Sequence, residues 1–327
     1  MRHLALEGSY YDMGFEYGKI LKRVGFGLPK ISRKRLRMGR GCREAVGGFF
    51  PEALEEFRGI SDASGLDYDR LCAFGLTQFD VNRSCSIFAV TDNDKTLIGR
   101  NYDMFYRIKD YCESYYTAPE GGYRSLGQTE AFVGREDGVN EKGLGVAMSG
   151  ITSYYSPGVA FWIAIRYILD KCVTVQEGVE VLREIPYHTT ITFLLADPTG
   201  EMAVVEASPM KTAIRKPDGN FIVSTNHFNH PEMKDIYLYE PPDSRIRYKT
   251  IVESLRNRRG DLNEKYAMSI LSSHKGLVCS HRDDIGLGTL WSTVTHLNTL
   301  RVWRAEGHPC TNPYKEDNRL REALGRE

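Results

Sequence analysis

Long hydrophobic runs are missing from this sequence. The longest, residues 159–165 and 191–196, fall far short of the roughly 20 apolar residues that a membrane-spanning helix needs. The opening MRHLALEGSYYDMG reaches Glu7 before a signal-peptide core of about 7 to 15 apolar residues has formed, so a cytoplasmic protein with no membrane partner is expected. Charge of one sign is missing too. The 43 Lys and Arg balance 43 Asp and Glu, which leaves no global field to draw the chain to nucleic acid or anionic lipid. A small, nearly neutral molecule suits this balance as partner, and assembly into a homo-oligomer stays open.

There is no CxxC pair. The seven cysteines, Cys42, Cys72, Cys85, Cys112, Cys172, Cys279 and Cys310, are scattered and odd in number, which argues against a disulfide scaffold. Most read as small buried hydrophobes. Cys279 and His281 stand too close together to form a structural zinc site by themselves, and His227 with His230 has no convincing further ligands nearby, so no metal is expected.

What is present is enough apolar material for a large core: 327 residues, 41% hydrophobic and 26% charged. Helical periodicity runs through residues 11–28, 51–61 and 67–79. From Cys85 the pattern changes to short β-prone runs at 85–90, 97–103, 112–118, 131–133 and 144–148. Helices are expected at 161–171 and 175–184, the second closed by Pro186. Strands resume at 191–196, 202–207, 212–215 and 221–224, separated by DPTG and KPDG turns in the manner of an antiparallel meander. Helices at 245–258 and 264–272 and a last hairpin from 289 to 304 complete an α+β chain, in which sheets sandwich against one another between helical layers. Residues 1–84 form a helical segment packed on a core of residues 85–327.

The segment NRSCSIFAVTDNDKTLIGRNYDMF carries most of the chemical information. Residues 91–95 read as a polar hairpin turn. Pairing Val90 with Thr96 brings Cys85 opposite Asn101 and near Asp103 on one face, with Arg100 on the other unless a bulge re-aims it. A cysteine of ordinary pKa, about 8.5, needs a base or a positive charge to act as a nucleophile near neutrality. Arg100 is one source. A free α-amino group on the cysteine itself, with a pKa of about 7.7 to 8.0, is another, and it removes the need for a catalytic histidine.

CSIFAV followed by GRNYDM, then DGVNEKGLGVAMSG, STNHF, and TLWSTVTHLNTLRVW with GHPCTNPY, together resemble the amino-terminal nucleophile (Ntn) hydrolases. The resemblance is narrowest to the group of acyl-coenzyme A:6-aminopenicillanic acid acyltransferase, with penicillin V acylases and bile salt hydrolases further off. It implies a four-layer αββα sandwich of antiparallel sheets. It also implies self-cleavage of the Ser84–Cys85 bond into chains of about 84 and about 243 residues, and attack of the Cys85 thiol on a carbon–nitrogen amide of a small acylated substrate. Asp103 would hold the new α-amino group, Arg100 would supply positive charge, and Asn226 would donate to the oxyanion. Asn140 in NEKGL would help to position the amino-terminal cysteine or its substrate, and His227 in STNHF the substrate or oxyanion. No cofactor is implied, and coenzyme A enters only as an acyl-donor substrate of the acyltransferase alternative.

The group often carries glycine before the cysteine and threonine after it, where this chain has Ser84 and Ser86. A catalytically silent binding protein on the same fold is therefore a rival reading. Residue by residue, plainer readings also stand: Asp103 with Arg100 as a structural ion pair, Asn226 and Asn140 as turn residues, and His227 and His281 as polar loop histidines rather than partners of a thiol.

Overall fold

The computed structural model describes residues 1–77, 84–130, 132–236 and 240–326, without the side chains of 152 and 153. The chain opens with β1 (Arg2–Gly8), followed by α1 (Tyr10–Arg23), α2 (Arg33–Phe49), α3 (Pro51–Ser64) and α4 (Tyr68–Gly75). Next come β2 (Ser84–Asp92), β3 (Lys95–Phe105), β4 (Glu113–Pro119), β5 (Ser125–Thr129), β6 (Asp137–Asn140) and β7 (Gly145–Tyr155). Helices α5 (Phe161–Lys171) and α6 (Val175–Glu184) lead to β8 (Thr189–Ala196), β9 (Met202–Ala207), β10 (Thr212–Arg215) and β11 (Phe221–Ser224). The last elements are α7 (Pro242–Arg256), α8 (Glu264–Leu271), β12 (His281–Arg282), β13 (Leu287–His296), β14 (Arg301–Glu306), β15 (Lys315–Glu316) and α9 (Arg319–Ala323).

Local chemistry accounts for the helix ends. Ser9 caps α1 by accepting from the Asp12 amide, and Thr174 with Glu177 forms a reciprocal capping box on α6. Helix α3 starts on Pro51 and stops at Gly65, whose φ of 77° suits only glycine comfortably. Helices α1 and α3 touch backbone to backbone. A Cβ added at Gly14 would lie 2.0 Å from the Glu56 carbonyl oxygen, and one at Gly59 would lie 2.2 Å from that of Tyr11.

One sheet runs β1-β4-β5-β6-β7-β8-β9-β10 and the other β11-β2-β3-β13-β14-β15, with β12 also on β13. All pairings are antiparallel except β1 with β4. Apolar side chains sort into three layers that follow the strand alternation. Phe161, Ile165, Phe193 and Val205 pack the first sheet against α1–α6. Ile87, Ala89, Ile98, Ala147 and Leu194 fill the space between the sheets. Phe88, Val90, Leu97, Ile251 and Leu271 pack the second sheet against α7 and α8. The result is the expected αββα sandwich. No helix among the described residues is long and apolar enough to cross a membrane.

Three expectations are corrected. Strands β1, β5, β6, β12 and β15 and helices α2 and α9 occupy stretches with no expected element; β1 alternates between covered and exposed residues, but only Leu6 is buried. The meander ends one strand early: β11 leaves the first sheet and pairs with β2 in the second, because the KPDG turn hands the chain across the sandwich. The run 131–133 is no strand at 132–133, where Phe132 takes a φ of 53°, and residue 131 lies outside the described residues, as do 78 and 79 of the third expected helix.

Candidate active site

The β2–β3 hairpin turns on two residues, Asn93 and Asp94, with Asn93 at φ 52°. Asparagine tolerates that left-handed conformation, and a two-residue turn fixes the register. Thr91 therefore pairs with Thr96 and Val90 with Leu97, one residue out from the pairing expected from sequence. A one-residue slip exchanges the faces. Cys85 lies opposite Tyr102, Ser84 opposite Asp103, and Arg100, opposite Ile87, shares the face of the cysteine. The expected placing of Asp103 beside the thiol and of Arg100 behind it is thus reversed.

On the inner face, between the sheets, Cys85 has no solvent exposure and packs with Tyr102, Met104, Leu290 and Trp291. The Arg100 guanidinium approaches its sulfur, with Nη2 at 3.9 Å. Arg100 is itself fully buried, and Nη1 donates to Asp137 Oδ2 at 2.5 Å. Burial pulls its pKa down, but the charges of Asp137, the Cys85 thiol and Glu136 outweigh burial and hold the guanidinium protonated. Tyr102 stacks on Trp291 with ring centres 3.9 Å apart, and its hydroxyl donates to Glu130 at 2.7 Å. Glu130 lines a cleft of about 870 Å³ walled by Tyr17, Phe26, Phe74 and Phe132.

On the helix-facing side, Asp103 is fully buried. Thr289 donates to its Oδ1 at 2.6 Å, and Oδ2 has no hydrogen-bond partner among the described residues. Desolvation lifts its pKa to about 7 against the opposing pull of Arg247 and the Thr289 hydroxyl. An unpartnered carboxylate oxygen thus sits across the ladder from Ser84.

Asn226 follows β11, the strand that crossed the sandwich. Its Oδ1 accepts from the Cys85 backbone amide at 2.6 Å and from Arg247 Nη2 at 2.9 Å, while Nδ2 donates to the Gly150 carbonyl at 2.8 Å. Two donors converging on one atom fix which end of the amide is oxygen. Among the described residues Nδ2 makes that one hydrogen bond.

Two expected residues stand elsewhere. Asn140, in the other sheet, donates to the carbonyls of Leu169 and Cys172 and accepts from the amides of Lys142 and Leu144. With both amide hydrogens in use it has none left for a substrate, and it belongs to the β6–β7 turn. The His227 ring bonds to Ser244, Thr225 and Asn229 and not to the thiol. Burial lowers its pKa to about 4.

Sequence reasoning missed Arg247. This fully buried arginine of α7 donates to the Cys85 carbonyl oxygen, to Ser86 Oγ at 3.2 Å and to Asn226, and pairs with Asp243 at 3.0 Å. Asp243 also accepts from Ser84 Oγ at 3.2 Å. The available signal was the i,i+4 spacing of Asp243 and Arg247 at the start of a proline-opened helix.

The αββα sandwich carries Cys85 near the start of β2, with its amide held by Asn226 just beyond the neighbouring strand β11. Two solved structures of variants of the conjugated bile acid hydrolase from Clostridium perfringens share the fold. They are 13% and 14% identical, cover 72% and 71% of this chain and 96% of their own, and each has a TM-score of 0.50. The penicillin V acylase from Agrobacterium tumefaciens aligns at 16% identity over 68% of this chain and 82% of its own, with a TM-score of 0.37. No curated protein matches in sequence. Residues 90–310 match the acyl-coenzyme A:6-aminopenicillanic acid acyl-transferase family, and the chain belongs to that family. Family and fold together place it among the Ntn-type amidohydrolases and acyltransferases. The matched region begins five residues after Cys85.

Proposed function

We propose that the protein is a self-processing cysteine amidohydrolase whose nucleophile is the amino-terminal Cys85. The observation that carries this reading is the hydrogen bond from the Cys85 amide to Asn226 Oδ1, at 2.6 Å, with Asp103, whose Oδ2 is unpartnered among the described residues, paired across the ladder with Ser84. Any buried amide needs an acceptor; here the acceptor is a side-chain oxygen that also takes the Arg247 guanidinium, a charged arrangement that a cysteine serving only as packing does not require.

In maturation the Cys85 sulfur attacks the Ser84 carbonyl carbon, the carbon–nitrogen bond breaks, and a thioester forms. Water then hydrolyses the thioester to give a Ser84 carboxylate and a free Cys85 amine. In turnover the α-amino group takes the thiol proton, the sulfur adds to the substrate amide carbon, and the proton passes to the leaving amine. Water releases the acyl group from the thioester; an amine acceptor in its place makes the same intermediate an acyltransferase. Asn226 Nδ2 supports the oxyanion. Arg100, on the face of the sulfur, favours thiolate, and Asp103 accepts from the α-ammonium. The aromatic cleft beyond Tyr102 and Glu130 suits an apolar acyl group.

Denaturing mass spectrometry of the purified protein tests the reading. Two chains breaking at 84–85 are expected, merging into one in Cys85→Ala. An intact chain that turns over amides with Cys85 still in peptide linkage would refute it. An intact chain that turns over none and labels at Cys85 no faster than at Cys42 would point to the silent binding protein.

A further inference from the structure

Cys279 and His281 lack partners when read from sequence, but the fold supplies two. One ligand atom each from His274, Cys279, His281 and Cys310 lies within 4.8 Å of all the others. His281 Nε2 is 3.5 Å from Cys279 Sγ and 3.1 Å from Cys310 Sγ. Zinc bound to sulfur at about 2.3 Å and nitrogen at about 2.0 to 2.1 Å makes a tetrahedron with edges of roughly 3.4 to 3.8 Å. The short separations already lie near that edge. A separation at the 4.8 Å limit needs a closing movement of about 1 Å on the same bond lengths, and His274, packed edge-on against the His281 ring at 5.1 Å, is exposed.

The surrounding backbone is shaped to bring these residues together. Between His274 and Cys279 the chain turns through Gly276 and Leu277, at φ 63° and 62°, and the Cys279 amide closes the loop on the Ser273 carbonyl at 2.8 Å. The turn holding Cys310 is tied by the amides of Thr311 and Asn312 to the His308 carbonyl. His308 stacks on His281 with ring centres 3.8 Å apart and planes at 19°. That stack needs Gly288 across from His281, since a Cβ there would meet His308 at 2.6 Å.

We propose that His274, Cys279, His281 and Cys310 form a structural zinc site. Two thiolates and two imidazoles in a tetrahedron select zinc over the harder cations, and four protein ligands leave no open position for a substrate. Binding releases the two thiol protons to solvent. The site ties the 273–281 loop to the 308–312 turn. The amide of Ser280, next to Cys279, donates to Thr289 Oγ1 at 3.2 Å, and that hydroxyl holds Asp103. The metal would thus brace the segment behind Asp103, whether or not Cys85 is a nucleophile.

The test uses the full chain, reduced and stripped with a chelator, then titrated with zinc and separately with cobalt(II). Expected are uptake of one equivalent of zinc, tetrahedral cobalt absorption with a thiolate charge-transfer band, protection of Cys279 and Cys310 from alkylation, and a rise in Tm. Cys310→Ser and His281→Ala, checked for native circular dichroism, should each lose the cobalt spectrum. No uptake by the reduced wild type, an octahedral cobalt spectrum, or a spectrum unchanged in both variants would overturn the proposal, whatever the state of the 84–85 bond.

Discussion

Arg100 and Asp137 join the two sheets through a buried 2.5 Å ion pair, and the Cys85 sulfur lies 3.9 Å from the same guanidinium. Trp291 Nε1 also donates to Asp137, at 3.0 Å. The positive charge near the thiol is therefore shared with a carboxylate rather than directed wholly at sulfur. Removing one partner of a buried pair leaves the other charge uncompensated, which typically costs about 3 to 5 kcal/mol. Asp137→Asn leaves Arg100 with Glu136, 3.7 Å away, as its remaining counter-charge, and is expected to lower stability by less than that. In the same variant Cys85 should alkylate faster, because the freed guanidinium favours thiolate. Denaturant melts and iodoacetamide kinetics check the two halves, and slower labelling would contradict the assigned role of Arg100.

Asn226 combines two functions that substitution can separate. Asp in its place keeps an oxygen for the Cys85 amide and Arg247 but loses the Nδ2 donor. Asn226→Asp is expected to keep cleavage at 84–85 while turnover falls about 100- to 1000-fold, the usual cost of an oxyanion donor. Asn226→Ala should impair both steps. Mass spectrometry for cleavage and kcat on an amide substrate distinguish the variants; equal turnover in Asn226→Asp and wild type would remove the oxyanion role.

Layer order was legible in the sequence because strand and helix periodicities differ, and runs such as 161–171 and 202–207 coincide with α5 and β9. Register was not. Choosing between a two-residue and a longer turn in TDNDK depends on Asn93 adopting a left-handed φ, and that single choice moved Arg100 and Asp103 to opposite faces. Arg247 stayed hidden because it lies 162 residues from Cys85, and no local pattern reports which face of α7 meets β2. His274 and Cys310 escaped for the same reason: their convergence is a property of the loops around β12 and β13.

Asn140 offers a contrast with Asn226. Two of its four hydrogen bonds close the β6–β7 turn and two tie that turn to the end of α5, and a neutral hydrogen bond contributes about 0.5 to 1.5 kcal/mol net. Asn140→Ala is expected to destabilise the protein by about 2 to 6 kcal/mol on that scale, with kcat unchanged for the protein that remains folded. Active-site titration combined with urea melts measures both. A loss of kcat per titrated site at full stability would restore Asn140 to the chemistry.

Asp103 makes stability depend on pH with a definite sign. Its folded pKa, about 7, lies above the ordinary 3.8, so between those values the folded chain holds a proton that the unfolded chain has lost. The stabilisation is complete below the unfolded value and drains away as pH rises towards 7, at up to about 1.4 kcal/mol per pH unit. The comparison belongs in a Cys85→Ala background, where the chain stays intact and no α-ammonium arises at residue 85. There, Asp103→Asn should abolish this falling component, so that the variant gains on its parent between pH 5 and pH 7.5. In the processing protein the new ammonium pairs with the carboxylate and draws its pKa down, so the same fall should be smaller after maturation. Urea melts across that pH range check both. A parent whose stability relative to Asp103→Asn rises with pH would mean that Asp103 is already ionised and paired before cleavage, and its part in receiving the amino group would have to be abandoned.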